Sequence, residues 1–382
     1  MHKFFEYLKS LPSKTWFWLA LSICFAIAVM VFDFAIFGLY QDKNDTQSYM
    51  DVIAYFDGRP APVESGQLTL FHIRLLKPLY GIICSSLTPL FSPYQAMLLL
   101  DMTLYFGTII LLFILLKKYF NLKSSMAALG TVWFACSYPM LKYGFSLMTD
   151  ISGYFFILLT VLLALIGFTK NKYIYFFAAG MAAGIGITAK ESGAFGLLFI
   201  FIYSLIQIRK TGTIKTLKRL LLVALPFLLI FGLSQILIIY KTNYSYLNFF
   251  TLSENEYAAQ FRTWKYFLGS QLATFHLLWL PFFYGLYKAI ASNKYRNESM
   301  SLIAAGFPAL LWPVYIVRGL FVQYIFVIPI ALFGTIHFLN NHKIGLKIPR
   351  LIKIALSSLP CLISLGLVLF SGGYSIWKIL NI

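Results

Sequence analysis

The sequence predicts an all-α polytopic membrane protein, and three of its features carry that prediction. Of its 382 residues 60% are hydrophobic and only 12% charged, about half the charged fraction of an ordinary soluble domain. Apolar runs of 18 or more residues recur along the chain, long enough for a helix to cross the hydrocarbon core. The lysines and arginines fall in short clusters between those runs, among them "KK" at 117–118, "RKTGTIKTLKR" at 209–219 and "HKIGLKIPRLIK" at 342–353.

About eleven transmembrane helices follow, at 16–40, 94–116, 126–147, 151–168, 174–189, 193–208, 220–240, 267–289, 300–317, 319–339 and 354–377. The first is too long for a signal-peptide core and lacks an A-x-A-like cleavage site, so it is expected to stay in the protein. With the N-terminus cytoplasmic and the C-terminus outside, six cytoplasmic segments hold 20 of the 31 basic residues. Nine of the 13 acids lie outside, which is the charge bias that orients helices. The 13-residue stretch "LYGIICSSLTPLF" at 79–91 contains Pro89 and is short for a span. It reads as a juxtamembrane helix within a first external loop at 41–93. Residues 1–382 are expected to form a single transmembrane domain without a soluble C-terminal one.

The formal net charge of +18 belongs to this topology rather than to a nucleic-acid groove, because the clusters alternate with the spans. Anionic lipid of the inner leaflet is their expected partner. Cys24, Cys84, Cys136 and Cys361 all lie in apolar stretches without metal-ligand spacing, and read as small core residues.

Polar residues at the outer helix ends are the candidate site. In chain order they are Asp45, Asp51, Arg74, Lys77, Asp150, Lys190, Glu191 and Arg318. Ionisable groups at membrane depth are costly, so several arriving from separate helices point to function. In "NDTQSYMDVIAYFDG" the segment from Thr46 reads as a short helix with Asp45 near its N-cap, and capping alone is an equally good account of that aspartate. Arg74 and Lys77 in "FHIRLLKPLY" suit a phosphate, since a guanidinium offers paired hydrogen bonds together with charge; snorkelling to lipid headgroups is the alternative. Asp150 opens the fourth span, where an acid also complements the helix end. Lys190 and Glu191 occupy a turn between two short Gly-rich spans, and a mutually paired turn is the simplest account of Glu191. Arg318 precedes the tenth span, which contains Gln323, Tyr324 and Pro329. Asp33 and Asp101 lie within spans, and Asp101 can pair with a neighbouring Tyr or Lys or line a cavity.

The order of these pieces resembles the GT-C superfamily of integral-membrane glycosyltransferases that use polyprenyl-phosphate sugars, with the protein mannosyltransferases and the bacterial aminoarabinose lipid A transferase among its members. An acid follows the first span in a D-x-x-x-Y string, Asp45 and Tyr49, with Ala54 one place off the usual step and Gly58 after it. An R-x-x-x-P-L-Y string follows, at Arg74, Pro78, Leu79 and Tyr80. "LMTD" before the fourth span, "AKESG" between the fifth and sixth, and an Arg-then-Pro tenth span extend the likeness over 16–339. Members often carry Arg-Pro-Pro where this chain has Lys77-Pro78, and many have a soluble C-terminal domain.

The resemblance implies an inverting transfer of one sugar from a lipid-phosphate carrier to a glycan, lipid or protein acceptor at the outer face of the plasma membrane. It makes Asp45 the general base and Asp150 a positioning residue. Arg74, Lys77, Lys190 and Arg318 then hold the donor phosphate, with Asp51, Tyr49, Glu191, Asp101 and Tyr324 as accessories. Metal use varies in the superfamily; this chain has no His or carboxylate cluster with ligand spacing, and no cofactor is expected. Two other classes compete. A transporter or flippase of lipid-linked sugar needs charge near the bilayer midplane and discontinuous helices. A ligase or polymerase of O-antigen type needs a large, arginine-rich late external loop, whereas the loop at 241–266 carries Arg262 as its one arginine.

Overall fold

A computed structural model of the chain describes residues 12–37, 43–60, 70–144, 147, 149–246, 248, 272, 274–306, 316–340 and 350–380. Among these there are helices and connecting turns and no strand. Five helical segments are long and apolar enough to span a membrane, at Ser13–Ala35, Pro93–Tyr119, Asp150–Lys170, Glu191–Thr211 and Thr213–Thr242. The chain is therefore an all-α polytopic membrane protein.

The first long helix, α1 (Ser13–Phe37), is followed by three short ones, α2 (Lys43–Phe56), α3 (Leu70–Leu75) and α4 (Pro78–Leu87). The expected juxtamembrane helix is α4, which starts where Pro78 supplies a preset φ and lacks the N–H that a first turn leaves unpaired. Helix α2 packs on α3 and α4, and α4 leans on α5 (Pro93–Ile114). A capping box of Ser92 and Gln95, with Pro93 in the first turn, fixes where α5 begins. A π-helical turn, Leu115–Tyr119, carries α5 on to its basic end.

The expected single span at 126–147 is instead broken. Helix α6 (Ser124–Ala135) stops at Cys136, and α7 (Tyr138–Tyr143) restarts under a Ser137 cap with Pro139 in its first turn. Proline has no N–H to give to the preceding turn, so an apolar run containing Ser-Tyr-Pro cannot continue as one helix.

The centre of the molecule is α8 (Asp150–Lys170), most of whose side chains are buried. Around it lie α5, α9 (Tyr173–Ala189) and α10 (Gly196–Thr211). Helix α11 (Thr213–Thr242) runs beyond the expected 220–240 and packs along α9, with a broad apolar face exposed where lipid would lie. The later helices are α12 (Trp279–Ala291), α13 (Arg296–Gly306), α14 (Ile316–Asn340) and α15 (Arg350–Leu380). Gly285 of α12 and Gly334 of α14 bring those two backbones together so closely that a Cβ on either would collide with the other chain segment. Within the expected span at 267–289, a 3-10 turn at His276–Leu278 separates α12 from the helical residues at 272, 274 and 275.

Candidate active site

Four segments converge at the Asp150 end of α8: α2, the α3–α4 turn, the start of α8 and the α9–α10 turn. The last is built by close packing. A Cβ on Gly193 would meet the backbone of Gly186, and one on Gly153 would meet the Ser192 hydroxyl. Small residues here let the 3-10 turn Glu191–Phe195 tuck against α8 and α9. Lys190 is the extended residue before that turn, with φ −154° and ψ 137°. Because it is extended, Lys190 and Glu191 send their side chains in different directions.

They accordingly do not pair with each other as the sequence led us to expect. Lys77 Nζ lies 2.6 Å from Glu191 Oε1, and Lys190 Nζ lies 3.1 Å from Asp150 Oδ1. Both lysines are 3% exposed. Two crossed ion pairs thus stitch the α3–α4 turn to the α9–α10 turn, and that turn to α8. Arg74, also buried, places its guanidinium 5.0 Å from the centre of the Tyr49 ring. The Tyr49 hydroxyl shares a hydrogen bond of 2.9 Å with Thr149 Oγ1, next to Asp150.

This cluster has a distinct electrostatic character. Burial is the largest influence on Lys77 and depresses its ammonium pKa; Glu191 and Tyr49 oppose that effect, while Arg74 and Lys190 add to it. For Tyr49, burial works against ionisation, yet Arg74, Lys77 and Lys190 together with the Thr149 bond bring the phenol below its usual value. The space around Tyr49 is therefore positive in spite of the two carboxylates.

Beneath the cluster, Tyr80 on α4 donates a 2.6 Å hydrogen bond to Asp101 Oδ1 on α5. Asp101 is fully buried, and its Oδ2 has no partner among the described residues. The Tyr80 ring lies 6.4 Å from that of Tyr49, which links the buried acid to the cationic layer. Ser152, one turn into α8, donates to the Thr149 carbonyl at 2.6 Å and adjoins the Tyr80 hydroxyl. Tyr246, packed on Phe231 at 5.6 Å, is within electrostatic reach of Glu191 and Tyr49.

Of the residues singled out from sequence, the structure brings together Tyr49, Arg74, Lys77, Asp150, Lys190 and Glu191, with Asp101 just below. Asp51 does not join them: it accepts a 2.9 Å bond from Gln47 on the exposed side of α2. Asp57 accepts a 2.8 Å bond from Thr88 in an exposed setting and lies outside the cluster. Asp45 falls inside the first turn of α2, which begins at Lys43 rather than Thr46. Its side chain, and those of Arg318, Gln323 and Tyr324, lie outside the described residues. Thr149, Ser152 and Tyr246 were not anticipated. Thr149 and Ser152 flank the acid of "LMTDIS", and Tyr246 lies in the loop at 241–266, where no motif marks it.

A cationic, largely buried cluster with exchangeable carboxylate partners is chemically suited to an anionic group such as a phosphate. Residues 78–235 match the family model described as dolichyl-phosphate-mannose-protein mannosyltransferase. The match supports a GT-C-like membrane glycosyltransferase. It covers less than half of the chain and contributes Tyr80, Asp101, Asp150, Lys190 and Glu191 to the cluster, while Tyr49, Arg74 and Lys77 precede it. No curated protein matches the chain.

Proposed function

We propose that this GT-C-like membrane protein is an inverting glycosyltransferase that moves one sugar from a polyprenyl-phosphate carrier to an acceptor at the outer face of the plasma membrane. The observation that carries the proposal is the convergence of Arg74, Lys77 and Lys190 on Tyr49, from three separate segments, at one end of the helix bundle.

In the reaction, an acceptor hydroxyl or amine attacks the anomeric carbon and loses its proton to Asp45. The bond from that carbon to the phosphate oxygen breaks. The carrier leaves as a phosphomonoester, which has one more ionisable oxygen than the diester it came from. Charge develops on the leaving phosphate, so prearranged cations there favour the transition state over the ground state. Lys77 and Lys190 are held by Glu191 and Asp150 at 2.6 and 3.1 Å; the donor phosphate takes the place of those carboxylates. Glu191 and Asp150 are then released to accept hydrogen bonds from sugar hydroxyls, which gives Asp150 its positioning role.

The test is turnover by the purified full-length protein in detergent, given a labelled polyprenyl-phosphate sugar and a crude envelope extract. Release of free polyprenyl phosphate is the expected result. Asp45→Asn should lower the rate by roughly 100-fold or more, the usual scale for a lost general base, at unchanged expression and membrane insertion. Full activity in that variant would reject Asp45 as the base. Absence of turnover, combined with passage of the labelled lipid across liposome bilayers, would replace the enzyme with a flippase.

A further inference from the structure

The opposite end of α8 holds a second set of cations that the transfer reaction does not use. Helix α8 spans 21 residues from Asp150 to Lys170, about 30 Å at 1.5 Å per residue. The Lys170 end therefore lies at the other membrane face from the candidate active site. There, Arg219 of α11 is 3% exposed and sits between two phenyl rings, its guanidinium carbon 5.1 Å from the Phe168 ring and 5.3 Å from the Phe176 ring. Its Nη2 donates to Asn171 Oδ1 at 3.0 Å, and its Nε has no partner among the described residues.

Lysines surround this arginine. Lys170 and Lys172 are exposed on either side of Asn171, a residue in the left-handed conformation that turns the chain from α8 into α9. Lys218 adjoins Arg219 in sequence. Tyrosine rings hold two of these ammonium groups, Tyr173 beneath Lys218 at 4.8 Å and Tyr175 beneath Lys170 at 5.6 Å. Lys118, at the end of the α5 segment, is within electrostatic reach of Lys170. The acid of this face among the described residues is Glu298 on α13, which accepts a 3.2 Å bond from Tyr203. Tyr203 itself packs on Phe168 at 4.7 Å, so that carboxylate is engaged one side chain away from the arginine.

A general basic belt needs only exposed lysines. A buried guanidinium with an open donor among packed rings is a different feature, because a buried N–H without an acceptor is costly. We propose that Arg219, Lys170, Lys172 and Lys218 form a binding site for the headgroup phosphodiester of an anionic phospholipid. At this depth a lipid headgroup supplies the acceptor that Arg219 Nε lacks. The tyrosines lie at the level that amphipathic rings prefer, and the excess of cations selects an anionic headgroup over a zwitterionic one. Acyl chains would continue along the exposed apolar face of α11, which includes Leu217, Leu221 and Leu225.

Native mass spectrometry of the full-length protein, released from micelles doped with phosphatidylglycerol and phosphatidylcholine of identical chains, tests this. The wild type should retain phosphatidylglycerol in clear preference. The triple variant Lys170→Ala, Lys172→Ala, Lys218→Ala changes exposed side chains and should cut that preference by about tenfold or more, each charge near the surface being worth several-fold. Asn171→Asp gives Arg219 an internal carboxylate and should weaken lipid retention with the fold intact, as aspartate tolerates the left-handed conformation. Equal retention of the two lipids by the wild type, or a wild-type preference in either variant, would overturn the proposal. Displacement of phosphatidylglycerol by millimolar inorganic phosphate would likewise overturn it in favour of a free-phosphate site.

Discussion

The two ends of α8 hold positive charge in opposite ways. At the Asp150 end, Lys77 and Lys190 are buried and each is tied to a carboxylate from another segment. At the Lys170 end, Lys170, Lys218 and Arg219 rest on the faces of Tyr175, Tyr173, Phe168 and Phe176. A ring stabilises a cation without cancelling its charge, whereas a carboxylate cancels it and can be exchanged for another anion. The first arrangement fits a site where a substrate phosphate comes and goes. The second fits a surface that stays positive and keeps an anionic neighbour. Position along one helix therefore decides little; the kind of partner decides what each cluster does.

The largest effect that separates the two ends is expected from matched lysine substitutions. Lys77→Met leaves Glu191 without its 2.6 Å partner inside the protein, and should cost about 3 kcal/mol in mixed-micelle unfolding. Lys218→Met changes an exposed side chain and should stay within about 0.5 kcal/mol. The double variant Lys77→Met, Glu191→Met should recover most of the stability, because two apolar side chains replace a buried pair at little net cost. It should not recover sugar transfer, since the cation is gone. A double variant as unstable as Lys77→Met alone would mean that Lys77 is held by something other than Glu191.

A second, smaller contrast lies in the tyrosines. Tyr80→Phe removes the 2.6 Å bond to the fully buried Asp101 and should lose about 2 kcal/mol, the scale of an abandoned buried acceptor. Tyr173→Phe keeps the ring under Lys218 and should change stability by less than about 0.5 kcal/mol. If both were neutral, Tyr80 would matter as a ring and its hydroxyl would have no structural part.

Much of this contrast was legible in the sequence, for reasons that particular residues make plain. Charged side chains at the ends of apolar runs are rare and expensive, so Arg74, Lys77, Asp150, Lys190 and Glu191 could be picked out by topology alone. Who pairs with whom could not. Lys190 and Glu191 are neighbours in the chain, and only the extended backbone at Lys190 followed by a 3-10 turn sends them to Asp150 and Lys77. The break at Cys136 and Ser137 was missed because hydropathy averages over a window and Pro139 acts at a point. Asp51 stands near Asp45 in sequence, but it bonds Gln47 at the surface of α2, and nearness in the chain does not reveal which face of the helix it takes. The Tyr80–Asp101 bond joins residues 21 apart on two helices; the sequence offers Asp101 a Tyr or Lys partner and marks Tyr80 through "PLY", but nothing in it says that these two residues meet.

The finest test of the comparison is the titration of Tyr49. Arg74, Lys77 and Lys190 act together to bring its phenol below the ordinary value of 10.0, against the opposing effect of burial. The ultraviolet difference titration of wild type against Tyr49→Phe should therefore show one phenolate appearing below that value. Arg74→Gln removes one of the three cations and should move the transition upward. A prenyl monophosphate bound at the cluster neutralises the same field and should move it upward as well, whereas phosphatidylglycerol bound at the Lys170 end, about 30 Å away, should leave it unchanged. The sign for stability follows from linkage. A folded-state phenol with a depressed pKa holds its proton less tightly than the unfolded chain does. The wild type should therefore gain stability over Tyr49→Phe as pH rises from the lowered value toward 10.0, and lose that gain as pH falls again. A Tyr49 transition that responds to phosphatidylglycerol but not to the prenyl phosphate would reverse the assignment of the two ends.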